Sequence, residues 1–232
     1  MRAALHGSEA PTEWLWHEVN ERLGRWLPRL FGYHLVAIGE HAKSVDLSTS
    51  PIHHRCIFAA DGQVHALAEE LPFAEHAVDV VVLPLVLHHS RDPHQVMREA
   101  YRVLIPGGHL VIVQPNPVSL FAAACLFSGR LRHAPWRGGW ISSWRLKEWL
   151  KLLACEVIHE ERLCFGSLLG QTPPSPRLEY WGRRLCPAFG GFEIIVACKR
   201  ELPLTPIRMP RRNHKKVAGR AALAPQARFE RK

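Results

Sequence analysis

The stretch "YRVLIPGGHLVIV" (residues 101–113) changes character at Pro106-Gly107-Gly108. Upstream, Val96, Met97, Ala100, Val103 and Leu104 recur at i, i+1, i+4, i+7 and i+8, one apolar face of a helix. Asp92 is a good N-cap for it, and Pro93 suits the first helical position, where a missing N–H costs nothing. Downstream, "HLVIVQ" (109–114) is a short apolar run that reads as a buried strand. The two glycines can take the positive φ that ends a helix. Before the helix, "AVDVVVLPLVL" (77–87) is almost wholly apolar and valine-rich, as a strand covered on both faces must be. Strand, capped helix, tight turn and strand make a βαβ unit.

Working outward, residues 11–27 place Trp14, Leu15, Val19, Leu23, Trp26 and Leu27 at helical spacing, and Pro28 ends the helix. "YHLVAIG" (33–39), "CIF" (56–58) and "QVHALA" (63–68) read as further strands. A helix-like stretch at 117–129, a Trp/Gly/Arg loop, a helix at 143–153 and strands near 155–162 and 191–199 follow. Such alternation predicts a Rossmann-like, doubly wound α/β fold with a mostly parallel sheet. In that architecture ligands bind beyond the carboxyl ends of the strands. Those ends are Gly39-Glu40, Ala59 to Asp61, Leu67-Ala68 and Pro84 to His88.

The chain has 232 residues and a net charge of +9. Residues 199–232 hold eleven Lys/Arg and two Glu, which leaves nineteen of each sign in residues 1–198. The charge excess therefore sits in a Pro-rich tail, expected to be disordered. The organisation expected is a domain over 1–200 with a Trp-rich insertion at 130–143, then a basic tail over 201–232. The six cysteines, Cys56, Cys125, Cys155, Cys164, Cys186 and Cys198, show no metal-ligand spacing, so no metal is expected. They read as free thiols of a reducing cytosol. No segment has the ~20 apolar residues of a membrane span, and acids interrupt the N-terminus, so a secretory signal is not expected. The location expected is cytoplasmic.

The segment 70–117 resembles one family closely. Leu71-Pro72-Phe73, Asp79, Leu87-His88-His89 and Arg102-Val103-Leu104-x-Pro106-Gly107-Gly108 look like the middle of a class I S-adenosylmethionine-dependent methyltransferase of the type-11 group. "LFGYHLVAIG" (30–39), "HHRCIF" (53–58), "QPNPVSLF" (114–121), "PWRGGWISSWRLKEWLKLL" (135–153) and "GRRLCPAFGGFEIIVACKRELPLTPIR" (182–208) are similar to its YafS-like branch. The resemblance implies S-adenosylmethionine as cofactor and methyl transfer as the reaction. It also shows departures. The family's acid followed by Gly-x-Gly-x-Gly falls here on Ala37, then Gly39, His41 and Lys43. Asp61 is the candidate for the acid that holds the ribose hydroxyls, and the adenine-contacting acid falls on Leu67. "SVDLS" (44–48) imitates the ribose motif but follows Gly39 too soon.

The cofactor contacts implied are therefore Gly39, Glu40, Asp61, Leu67, Pro84 and Leu87. His88, at the end of the fourth predicted strand, is the candidate general base, because imidazole titrates near neutrality. His89, its neighbour on that strand, is expected to point away from the cleft. Asn116, in the rigid Pro115-Asn116-Pro117 turn, and Trp140 are the candidate substrate contacts. A second reading is a non-catalytic homologue that binds a partner or ligand through the Trp-rich region. A third is contact of the basic tail with RNA phosphates. The sequence carries no signal for the substrate or the oligomeric state.

Overall fold

A computed structural model describes residues 10–59, 68–119, 122, 139–165 and 175–201. Helix α1 (Ala10–Trp26) runs into a 3-10 turn at Leu27–Arg29, where Pro28 stops it. Strands β1 (His34–Ile38), β2 (His54–Phe58) and β3 (Val78–Pro84) follow. Then come a single helical turn α2 (Val86–His89), helix α3 (Pro93–Val103) and β4 (Leu104–Pro115). Helix α4 (Ser143–Leu152), β5 (Cys155–Leu163), α5 (Pro176–Leu185) and β6 (Phe192–Lys199) complete the described chain.

The strands form one sheet in the order β2-β1-β3-β4-β6-β5. Neighbours from β2 to β4 are parallel, whereas β6 runs antiparallel to both β4 and β5. The mostly parallel, doubly wound expectation holds, with one reversed strand. Most of strand 63–68, most of helix 117–129, residues 130–138 of the Trp-rich insertion and the tail beyond Glu201 lie outside the described residues.

Alternation along the strands divides the core into two layers. Val80, Val82, Val111 and Val196 face Leu15, Val19, Leu23 and Leu27 of the α1 region. Val81, Leu83, Ile112 and Ile195 face Val96, Met97, Ala100 and Val103 of α3 and Leu146 and Leu150 of α4. The stripe read at 96–104 is thus the buried face of α3, and each large side chain in it contributes about 1.5–3 kcal/mol through burial. Asp92 caps α3 by accepting from the Gln95 amide at 3.0 Å.

Two local readings are corrected. Pro106-Gly107-Gly108 does not separate helix from strand. β4 begins at Leu104, opposite Val78, and His109 pairs with Val80, so the intervening residues loop out as a bulge within the strand. Gly107 has φ +80°, and a Cβ on Gly108 would lie 2.9 Å from the Asp79 carbonyl oxygen. Second, β3 stops at Pro84 and residues 86–89 are helical.

Candidate functional site

The order of the sheet reverses between β1 and β3, because β1 leads outward to β2 and β3 leads back to β4. There the carboxyl ends of the two strands part and leave room for a ligand. Gly39 terminates β1 with φ +108°, and its N–H donates to the Phe58 carbonyl at 2.7 Å. A Cβ on Gly39 would lie 2.5 Å from Val86 Cγ2. Only glycine combines that φ with so close an approach. The chain then coils into a 3-10 helix, Glu40–Ser44. At the end of β3, Leu85 takes a left-handed conformation (φ +59°), and its N–H donates to the Val113 carbonyl at 2.8 Å. That turn throws α2 across the strand ends.

Between these turns opens a cleft of about 560 Å³, bordered by Gly39, Glu40 and His41, by Phe58, by Ala68 to Glu70, and by Pro84 to Val86 and His89 to Asp92. Four carboxylates, from Glu40, Glu69, Glu70 and Asp92, border it against one arginine, Arg91, and two imidazoles. The Arg91 amide donates to Glu69 Oε1 at 3.3 Å, and Gln95 Nε2 donates to the Glu69 carbonyl at 3.4 Å, which holds this rim against α3. The His41 ring lies 5.3 Å from Trp16 and 5.6 Å from His89. Burial lowers the His41 pKa, the His89 charge lowers it further, and Glu40 opposes both.

Of the residues expected at the site, Gly39, Glu40 and Pro84 border the cleft. Leu87 does not. It is buried in the core layer with Val96 and Met97. The two histidines are the reverse of the expectation. His88 is 1% exposed, its Nδ1 lies 3.1 Å from the Gly139 carbonyl, and burial lowers its pKa to about 4. His89 is exposed and borders the cleft, with Nδ1 3.0 Å from the Leu85 carbonyl. The cause is α2: strand alternation does not apply to a helical turn.

Trp140 meets His88 edge-on, 5.6 Å between ring centres, and does not border the cleft. Asn116 is fully engaged by backbone. Its Nδ2 donates to the Ala188 and Gly190 carbonyls, and its Oδ1 accepts from the Val118 amide. It fastens the end of β4 to the loop before β6, so its amide is not directed to a substrate. Asp61 and Leu67 lie outside the described residues. Asp79, at the opposite end of the sheet, accepts from the Tyr33 and His34 amides and anchors the start of β1.

Two polar arrangements escaped the sequence reading. Arg102 donates to the Phe73 and Leu71 carbonyls at 2.9 and 3.1 Å and pairs with Glu99, which accepts from the Leu71 amide. Leu71-Pro72-Phe73 and the Arg of Arg-Val-Leu thus form one clamp. The other is Glu193 on β6, fully buried, which accepts from Gln114 Nε2 and Ser143 Oγ and faces Arg162 Nε at 3.7 Å. Gln114 Nε2 also donates to the Ile141 carbonyl. Burial raises the Glu193 pKa, and the Ser143 and Gln114 hydrogen bonds oppose this. A lone acid inside "GFEIIVACK" (191–199) was the available signal.

Comparison with known proteins adds the family. A methyltransferase domain family matches residues 26–112. The uncharacterized protein YafS of Escherichia coli (strain K12) is 34% identical over 193 residues, 81% of this chain and 77% of that protein. Among solved structures, a methyltransferase of Thermotoga maritima, described as a possible histamine N-methyltransferase, superposes with a TM-score of 0.57. Its identity is 16%, over 83% of this chain and 95% of that one. Geranyl diphosphate C-methyltransferase from Streptomyces coelicolor, bound to S-adenosyl-L-homocysteine, has a TM-score of 0.51 at 15% identity, over 86% and 88%. These two likenesses concern the fold.

Proposed function

The chain belongs to the family of YafS, within the S-adenosylmethionine-dependent methyltransferases, and on that premise we propose that it transfers a methyl group to an oxygen or nitrogen nucleophile. The observation that carries the reading is the acidic cleft at the switch between β1 and β3, closed by the Gly39–Val86 approach. Its volume lies within the range of small-molecule sites, about 300–1,000 Å³. Its four carboxylates suit a ligand with an ammonium and a sulfonium. Size and charge therefore fit S-adenosylmethionine.

When bound, S-adenosylmethionine supplies an electrophilic methyl group on a sulfonium. The chain's own part is to bind, orient and exclude water. Glu40 pairs with the ammonium, Glu69 or Asp61 accepts from the ribose hydroxyls, and Pro84 to Val86 give a dry wall. His89 takes the proton of the acceptor, with Nδ1–H donated to the Leu85 carbonyl so that Nε2 is the basic atom. His88, neutral and buried, supports the turn beneath it. No covalent enzyme intermediate is needed. The setting is cytoplasmic, in keeping with five free thiols among the described residues.

His41 and Lys43 occupy positions where the wider group has glycine, and this favours weak binding. The test is calorimetric titration of the full chain with S-adenosylmethionine. Each lost charged hydrogen-bond partner is worth about 1.5–3 kcal/mol, so Glu40→Gln weakens binding by roughly ten- to a hundredfold, and Gly39→Val abolishes it. Binding that ignores both substitutions would put the ligand elsewhere. No binding up to millimolar cofactor would replace catalysis by the reading of a non-catalytic homologue.

A further inference from the structure

Helix α5 turns an unusual face to solvent. Tyr180, Trp181 and Leu185 are 63%, 54% and 68% exposed, and Phe189, in the 3-10 turn that follows, is 42% exposed. Arg177 and Arg184 are exposed around them, whereas Arg183, on the other side, faces Glu161 at 3.7 Å. Arg177 and Arg184 stand four residues before and three after Trp181, so all three share one side of the helix. The acid of the helix, Glu179, is half-buried on the other side. That inner side is fixed in place: a Cβ on Gly182 would overlap the Phe165 side chain. The outward face is therefore a consequence of packing and not of a loose helix.

The face also has a fixed place in the fold. Asn116, just past the end of β4, donates to the Ala188 and Gly190 carbonyls, and Arg162 Nη1 donates to the Pro187 carbonyl at 3.4 Å. The turn that carries Phe189 is thereby fastened at the end of the sheet on which the cleft opens.

We propose that the Tyr180, Trp181, Leu185 and Phe189 face of α5, with Arg177 and Arg184, docks this protein on an anionic lipid surface. Exposed apolar patches bordered by charge mark interaction sites. Trp and Tyr favour the membrane–water boundary, where an apolar ring and a polar tip are both accommodated. Leu185 and Phe189 supply acyl-chain contact, and the arginines reach headgroup phosphates from the same side. The charge is complementary to an acidic headgroup and lacks the exposed carboxylates that a mixed protein interface would present on this helix. A sequence-neutral nucleic-acid groove would use the rings for base stacking but has no use for Leu185. The inference goes beyond methyl transfer and does not depend on it.

The experiment is flotation of the full chain with vesicles of phosphatidylcholine alone and of phosphatidylcholine with phosphatidylglycerol. The basic tail is common to every protein compared, so its attraction is a constant background. The wild type floats with the anionic vesicles. The pairs Trp181→Ser with Leu185→Ser and Arg177→Gln with Arg184→Gln each reduce partition by roughly tenfold or more, with melting temperatures unchanged. The proposal is overturned if the wild type floats with neither vesicle, or if both pairs float like the wild type. It is also overturned if the pairs leave flotation intact but abolish retention of RNA or self-association.

Discussion

At the scale of single residues, two glycines separate local conformation from composition. Gly39 stands at φ +108° against Val86, whereas Gly24 lies inside α1 with no contact closer than 3.9 Å to an added Cβ. Gly39→Ala should cost about 1–3 kcal/mol, and Gly24→Ala should gain roughly 0.5–1 kcal/mol. Thermal melts of the two variants test this, and equal shifts would refute it. The histidines divide in the same way. Ala at 89 should lower methyl transfer with little change in melting. Ala at 88 should lower the melting temperature, because it empties a buried site beneath Trp140. Acid sensitivity follows from the same geometry. The folded pKa of His88 is about 4, below the unfolded value of ~6.5. Between these values the unfolded state binds the extra proton, so stability falls as pH drops from ~6.5 toward 4. His88→Asn should flatten that part of the profile, while His41 and His109, also lowered by burial, retain their shares. None of this could be read from the sequence. "LHH" (87–89) continues an apolar run, and nothing in it announces the left-handed Leu85 that ends the strand.

At the scale of elements, helices and buried strands were legible because their signals are periodic. The apolar stripe at 96–104 and its Asp92-Pro93 start are the buried face and cap of α3. What escaped was any arrangement made by residues distant in sequence. Leu71-Pro72-Phe73 and Arg102 are both recognisable as motifs, yet only the fold shows that Arg102 donates to the Phe73 and Leu71 carbonyls. The rim of the cleft from Ala68 to Glu70 adjoins this clamp. Arg102→Ala should cost about 1–3 kcal/mol and raise hydrogen exchange at the Leu71 amide, whose acceptor Glu99 then loses its partner. Arg102→Lys should restore little, because an ammonium cannot reproduce the planar fork. Unchanged exchange at Leu71 in Arg102→Ala would show that the clamp does not hold the rim. The Pro106-Gly107-Gly108 bulge belongs here too. Its composition reads equally as a turn between elements, and only the register of β4 against β3 distinguishes them.

At the scale of the whole molecule, charge and closure are separate matters. Residues 1–198 are neutral in sum, and all of the excess of +9 lies from Lys199 onward. The first of those basic residues is nevertheless part of the folded body. Lys199 is 1% exposed, its Nζ donates to the Tyr101 and Leu104 carbonyls at 3.0 and 2.8 Å, and Glu201 pairs with it at 2.9 Å. The ammonium also lies 4.1 Å from the Tyr101 ring centre. It thereby ties the end of β6 to the junction of α3 and β4, the same junction at which the chain changes from helix to bulged strand. The charge tally groups Lys199 with the excess because it cannot separate a buried ammonium from a solvated one, whereas the strand read at 191–199 already includes it. Removing it leaves buried carbonyls without their donor, so Lys199→Met should cost about 1–3 kcal/mol. At roughly 2–4 °C per kcal/mol for a domain of this size, that is a drop of ~2–12 °C in melting temperature. Truncation after Arg208 keeps Lys199 and Glu201 and should shift the melt by less than ~4 °C, while removing eight of the eleven basic residues counted from Lys199 onward. Any salt-sensitive retention of RNA should disappear with them. A truncated chain that melts as low as Lys199→Met would place part of the fold's support beyond Arg208, and the boundary near Glu201 would have to move.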